Sequence, residues 1–130
     1  MTNDEIRDFL QQSIDENRVM LFMKGTPNQP ACGFSARTAG ALNALGVQYA
    51  ALDILPDPRI REELSGLSGW PTIPQLFVDK ELVGGSDIVI EMFESGELAQ
   101  LLGVEQPGEI EAEPQPEPTQ RPIGLENRLD

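Results

Sequence analysis

The side chains able to do chemistry start with one sulfur. Cys32 follows a loop at residues 25–30 and immediately precedes a helical stretch, in the run Lys24-Gly25-Thr26-Pro27-Asn28-Gln29-Pro30-Ala31-Cys32-Gly33-Phe34-Ser35. A helix N-terminus presents unpaired N–H groups and a partial positive charge, so a thiolate there is stabilised and its pKa falls. Lys24, ending the preceding strand, can reach back over the loop and add a full charge. Gly33 lets a bound group come close to the backbone, and Pro30 stiffens the approach. Ser35 occupies the place where a C-x-x-C protein carries its second thiol. Its hydroxyl can donate to the thiolate but cannot form a disulfide. Any turnover therefore needs an external thiol to attack and leave.

The composition removes the competing chemistries. The 130 residues include one cysteine and no histidine. No Ser–His or Cys–His pair, intramolecular disulfide or self-contained four-cysteine zinc site can be built from them. Asp and Glu number 22 against 9 Lys and Arg, for a formal charge of −13. Tracking a nucleic-acid backbone needs clustered cations, as does adsorption to an anionic membrane, so neither partner is expected. The longest apolar run, Val19–Met23, is of strand length rather than membrane-span length. The polar, acidic start Met1-Thr2-Asn3-Asp4-Glu5 fits neither a signal nor a transit peptide, and the expected compartment is the cytosol.

The elements that must position Cys32 fall within residues 1–103. Thr2 and Glu5 form a capping box ahead of Ile6, Phe9, Leu10 and Ile14 at helical spacing. Val19–Met23, apolar throughout, suits a central strand buried on both faces. A helix is predicted over about 33–45 with Phe34, Ala41, Leu42 and Leu45 on its buried stripe. A short strand follows at 49–52. Asp57-Pro58 is an N-cap followed by proline at the first helical position, for a helix burying Ile60, Leu64 and Leu67. Strands at 75–78 and 82–83 flank a tight turn at Asp79-Lys80-Glu81, and Ser86-Asp87 is expected to cap a last helical region reaching Leu102. The order α-β-α-β-α-β-β-α specifies an α/β domain with a mixed four-stranded sheet and helices on both faces, a thioredoxin-like architecture. Residues 104–130 differ in kind: five of the 11 prolines, seven acidic residues and two arginines. They read as an acidic, Pro/Glu-rich disordered tail, with Pro122-Ile123-Gly124-Leu125 its one apolar island.

Three separated motifs carry a resemblance. Lys24-Gly25-(x)4-Pro30-x-Cys32-Gly33-Phe34-Ser35, Trp70-Pro71-Thr72-Ile73-Pro74-Gln75 and Gly84-Gly85-Ser86-Asp87-Ile88 occur in the order and spacing of a monothiol glutaredoxin of the C-G-F-S class. The chain resembles that family over about residues 1–103. The resemblance implies a cis peptide bond before Pro74, leaving the backbone N–H and C=O of Ile73 to pair with the cysteinyl part of glutathione as an added strand. It implies a glutathione site at Lys24, Arg61, Thr72, Ile73, Ser86 and Asp87. There Lys24 and Arg61 meet the glycyl carboxylate, and the turn through Ser86 meets the γ-glutamyl carboxylate. Asp87 takes the γ-glutamyl ammonium. Arg61 read without the family is equally a solvated arginine, and Ser86-Asp87 a plain helix cap. The chain departs from many relatives at Ser65, where they carry a basic residue, and at Ser86, where they carry cysteine.

Two functions follow from one sulfur in such a family. A [2Fe–2S] cluster takes four thiolates. One cysteine and one glutathione per protomer supply four in a homodimer, monomeric without the cluster, that hands it on; BolA-type and iron–sulfur scaffold or recipient proteins are then the implied partners, with Cys32 the metal ligand. The other function is catalytic, Cys32 acting as nucleophile of a glutathione-dependent oxidoreductase on protein–glutathione mixed disulfides. The longer loop at 25–30 favours the first.

Overall fold

Thr2 starts the chain's ordered structure by accepting from the Glu5 N–H, while the Glu5 carboxylate accepts from the Thr2 N–H at 2.7 Å. In the computed structural model, which describes residues 1–106, this capping box opens α1 (Asn3–Glu16). There follow β1 (Val19–Met23), α2 (Gly33–Ala44), β2 (Ala50–Asp53), α3 (Pro58–Ser68), β3 (Gln75–Val78), β4 (Glu81–Gly84), α4 (Ser86–Ser95) and α5 (Glu97–Leu102). The sheet order is β2-β1-β3-β4, with β1 and β2 parallel and the other two pairs antiparallel. This is the mixed four-stranded, thioredoxin-like sheet that the element order implies.

Alternation along β1 divides the core in two. Val19, Leu21 and Met23 face a cluster built with α2, α4 and α5, whereas Met20 and Phe22 face one built with α1 and α3. Every β1 residue is buried, because successive side chains of a strand point to opposite faces and both faces carry helices. Phe77 of β3 meets Phe22 edge-on, with ring centroids 5.7 Å apart, and closes the second cluster.

Some local expectations need correction. Phe34 does not join the buried stripe of α2: it is 53% exposed, and the inward face carries Ser35, Thr38, Ala39, Ala41 and Leu42. Phe9 likewise faces outward on α1. Ser86 and Asp87 do not cap α4 through their side chains; the N-cap is Gly85, with no side-chain cap bond, and both residues lie inside the first turn. The last helical region is two helices, broken at Gly96. The hairpin turn is the two-residue Asp79-Lys80, with φ of 51° and 72°, so Glu81 already belongs to β4. Gly103 ends α5, and Val104 packs on the core and donates its N–H to Ala99 O at 3.0 Å. The rest of the predicted tail, from 107 and including Pro122-Ile123-Gly124-Leu125, lies outside the described residues. No helix among the described residues is long and apolar enough to cross a membrane.

The two phenylalanine environments differ enough to be told apart by unfolding. Urea denaturation of Phe22→Ala should show a loss of about 3–5 kcal/mol, as for a fully buried aromatic. Phe34→Ala should lose less than about 1 kcal/mol.

Candidate functional site

The sulfur of Cys32 caps α2. Cys32 is extended (φ −152°, ψ 158°), and its Sγ accepts from the Ser35 N–H at 3.4 Å. The Ser35 hydroxyl is also 3.4 Å from Sγ. Ser35 is fully buried, and its Oγ accepts from the Lys24 N–H at 3.0 Å. That bond occupies the hydroxyl as an acceptor and leaves its proton for the sulfur once the thiol ionises. Burial pushes the Cys32 pKa up, but the Ser35 hydroxyl, the N–H groups of Ser35 and Phe34, and the Lys24 charge together outweigh it. The thiol therefore titrates below its ordinary value and is half-buried rather than sealed in.

The loop between β1 and α2 closes on itself and returns the chain to the sulfur. Thr26 and Gln29 exchange backbone bonds at 3.0 and 3.2 Å, and Ala31 N–H donates to Lys24 O at 2.9 Å. Gly25 has φ of 84°, and a Cβ there would stand 2.4 Å from Gln29 O, so only glycine fits this crossing.

An open cleft of about 220 Å³ lies on the side of Phe34. Thr72, Ile73, Ser86 and Asp87 line it. Phe34, Trp70, Gly85 and Ile88 line it as well. Phe34, two residues from Cys32 on the same helix turn, joins the cleft to the thiol. The Ile73–Pro74 bond is cis. Gln75, fully buried, braces the segment before it by donating its amide to Trp70 O at 3.0 Å and to Thr72 O at 3.2 Å. Among the described residues the N–H and C=O of Ile73 have no hydrogen-bond partner, so an extended peptide can pair with them. The opposite wall is the first turn of α4, whose N–H groups have no side-chain cap. Gly85 lets that turn sit against the indole, since a Cβ there would stand 3.0 Å from Trp70 Nε1.

The two cations named from the motifs lie outside the cleft wall. Lys24 acts on Cys32 through its charge. Arg61 donates to Pro71 O at 3.3 Å and so stands beside the Trp70–Thr72 segment. Among the described residues no group of three or more His, Cys, Asp and Glu side chains could hold a metal ion. Apolar type alone places Phe34 in the core, and the local pattern gives no signal of the true rotation, because the inward face carries the polar Ser35 and Thr38.

The glutaredoxin family model matches residues 19–83. Glutaredoxin 4 of Escherichia coli strain K12 is 56% identical over 93 residues, 72% of this chain and 81% of that protein. Probable monothiol glutaredoxin 2 of Rickettsia typhi is 48% identical over 102 residues, 78% of this chain and 91% of the relative. Among solved structures, reduced apo GrxS14 of poplar superposes with a TM-score of 0.67 at 38% identity, covering 75% of this chain and 90% of its own. A monomeric truncated mutant of Trypanosoma brucei 1-C-Grx1 gives 0.69 at 41%, covering 76% and 93%.

Ser35 is the chief support of the thiolate, and the sign of its removal is fixed. Ser35→Ala keeps the backbone N–H but loses the hydroxyl, so the Cys32 pKa rises. The pH profile of iodoacetamide alkylation should then move to higher pH than in the unaltered protein, lowering the rate at pH 7 about threefold or more. An unchanged profile would remove Ser35 from the account of the thiolate.

Proposed function

The chain belongs to the glutaredoxin family, in its monothiol class, and from that premise we propose that it binds glutathione and carries a labile [2Fe–2S] cluster as cargo between iron–sulfur proteins. One observation supports this above the rest: the only thiol in 130 residues caps a helix, half-exposed and poised to ionise, beside an open cleft. A single protomer thus offers one thiolate ligand and cannot hold a cluster alone.

The residues of the site suit glutathione in chemical kind. The unpaired N–H and C=O of Ile73 match the cysteinyl peptide group, with Thr72 beside them on the same wall. The uncapped first turn of α4 at Ser86 and Asp87 suits the γ-glutamyl carboxylate. The Asp87 side chain suits the ammonium, and Lys24 and Arg61 are the cations for the glycyl carboxylate. The peptide's sulfur then lies beside Cys32 as a second thiolate. Two protomers, each with Cys32 and one glutathione, supply the four thiolates that a [2Fe–2S] cluster takes. Ligation that is half non-protein suits a cluster meant to leave. The recipients we propose are iron–sulfur scaffold and target proteins and BolA-type partners, and the compartment is the cytosol, where the lone thiol stays reduced.

The lowered pKa of Cys32 favours a second activity. Its thiolate can attack the glutathione sulfur of a protein mixed disulfide and release the protein thiol. A further glutathione then attacks the Cys32–glutathione disulfide, leaving oxidised glutathione and free Cys32. With serine at position 35, the second step has no internal route.

Anaerobic addition of iron, sulfide and glutathione should yield a coloured dimer that bleaches to a monomer when glutathione is removed. Cys32→Ser should give neither colour nor dimer. A colourless monomer that turns over a glutathionylated protein would replace the carrier with the oxidoreductase.

A further inference from the structure

Asp53, the last residue of β2, has a side chain no motif accounts for. Its Oδ1 accepts from two backbone N–H groups, that of Gly25 at 2.9 Å and that of Leu55 at 2.9 Å. One oxygen thereby ties together the ends of two neighbouring parallel strands, since Asp53 is registered opposite Met23 and Ile54 N–H donates to Met23 O at 3.0 Å. Gly25 is buried, with φ of 84°, and cannot turn its N–H to water without moving the crossing of the loop. The next peptide group towards the N-terminus carries the Lys24 N–H, which donates to the Ser35 hydroxyl. That hydroxyl is 3.4 Å from the Cys32 sulfur.

We infer that Asp53 is a positioning residue for Cys32, its carboxylate fixing the turn at Gly25 so that the Lys24 N–H holds the Ser35 hydroxyl with its proton turned to the sulfur. Asp53 touches neither the thiol nor the cleft wall. Its effect passes through Gly25, Lys24 and Ser35, along covalent bonds and three hydrogen bonds, the last between the Ser35 hydroxyl and the sulfur. What this role needs is an acceptor at one place; the negative charge works against it, because an added anion disfavours a thiolate. Geometry and charge therefore predict opposite signs when the carboxylate is removed. The inference concerns the thiolate alone and does not depend on glutathione or on a cluster.

Thiolate absorbance and iodoacetamide alkylation, followed against pH in the full chain, separate the two. In Asp53→Ala the profile should move to higher pH, with alkylation at pH 7 slowed about threefold or more. Asp53→Asn keeps an acceptor oxygen in place and should stay within about twofold of the unaltered protein. Asp53→Glu retains charge but displaces the acceptor by one methylene, and should move in the same direction as alanine by less. It serves as the test if Asp53→Ala fails to fold, with folding judged by urea unfolding. The inference is overturned by an unmoved profile in folded Asp53→Ala or Asp53→Glu, by a move to lower pH on removing the carboxylate, or by Asp53→Asn behaving like Asp53→Ala.

Discussion

A sulfur used as a helix cap is the interaction on which the rest of the site depends. The first turn of α2 needs an acceptor, and the Cys32 side chain supplies it to the Ser35 N–H. The same bond lowers the free energy of the thiolate more than that of the thiol, because an ionised acceptor draws more from a donor. Folding the helix and activating the nucleophile are therefore one event. Ser35 completes the arrangement by being held from behind by the Lys24 N–H, so that its proton is not drawn to another acceptor. The end of β1 is thus wired directly to the start of α2.

Sheet order then brings remote sequence to the same place. β1 lies between β2 and β3, and antiparallel pairing sets Phe22 opposite Gln75. The end of β1, which leads to Lys24 and the thiol loop, consequently adjoins the start of β3, which the cis Ile73–Pro74 turn precedes. Buried Gln75 locks that turn from inside. The third wall follows from the hairpin: β4 leaves the sheet at Gly84, and α4 starts two residues later beside Trp70. Three motifs separated by up to about fifty residues become one cleft because adjacent strands deliver each of them.

Whether a feature was legible in the sequence depended on how local its cause is. The capping box at Thr2, the Asp57-Pro58 start and the uniformly buried β1 are set by neighbours within a turn or by an unbroken apolar run, and all appear as read. The rotation of α2 is not local. Apolar type alone puts Phe34 inward, but the buried face holds Ser35 and Thr38, whose polar atoms are satisfied by Lys24 N–H and by Phe34 O. A polar side chain enters a core when its partners are already present, and those partners belong to other elements or to the backbone, which the pattern of types does not display. Ser86 and Asp87 show the converse. They have the composition of a cap, yet the chain leaves β4 one residue too early for either to sit at the N-cap, so their helix turn stays open to the cleft. Phe34 and the side chains at the start of α4 are the corrected pieces that line the site.

The charges divide in the same way between structure and site. Arg7 pairs with Glu63, Arg59 with Asp57, and Arg18 with Asp79 while its other nitrogens meet the last carbonyls of α5. Among the described residues Lys24, Arg37, Arg61 and Lys80 have no carboxylate partner. Of these, Lys24 is the cation whose charge acts on the thiol. A ligand with two carboxylates meets a repulsive field at long range and attraction close to an unpaired cation such as Lys24 or to the open end of α4. Salt screens the first more than the second, because contacts shorter than the Debye length of about 8 Å keep most of their strength at physiological ionic strength. Near Lys24 and the open end of α4, short-range attraction therefore outlasts the long-range repulsion of the acidic surface, and Lys24 adjoins the sulfur.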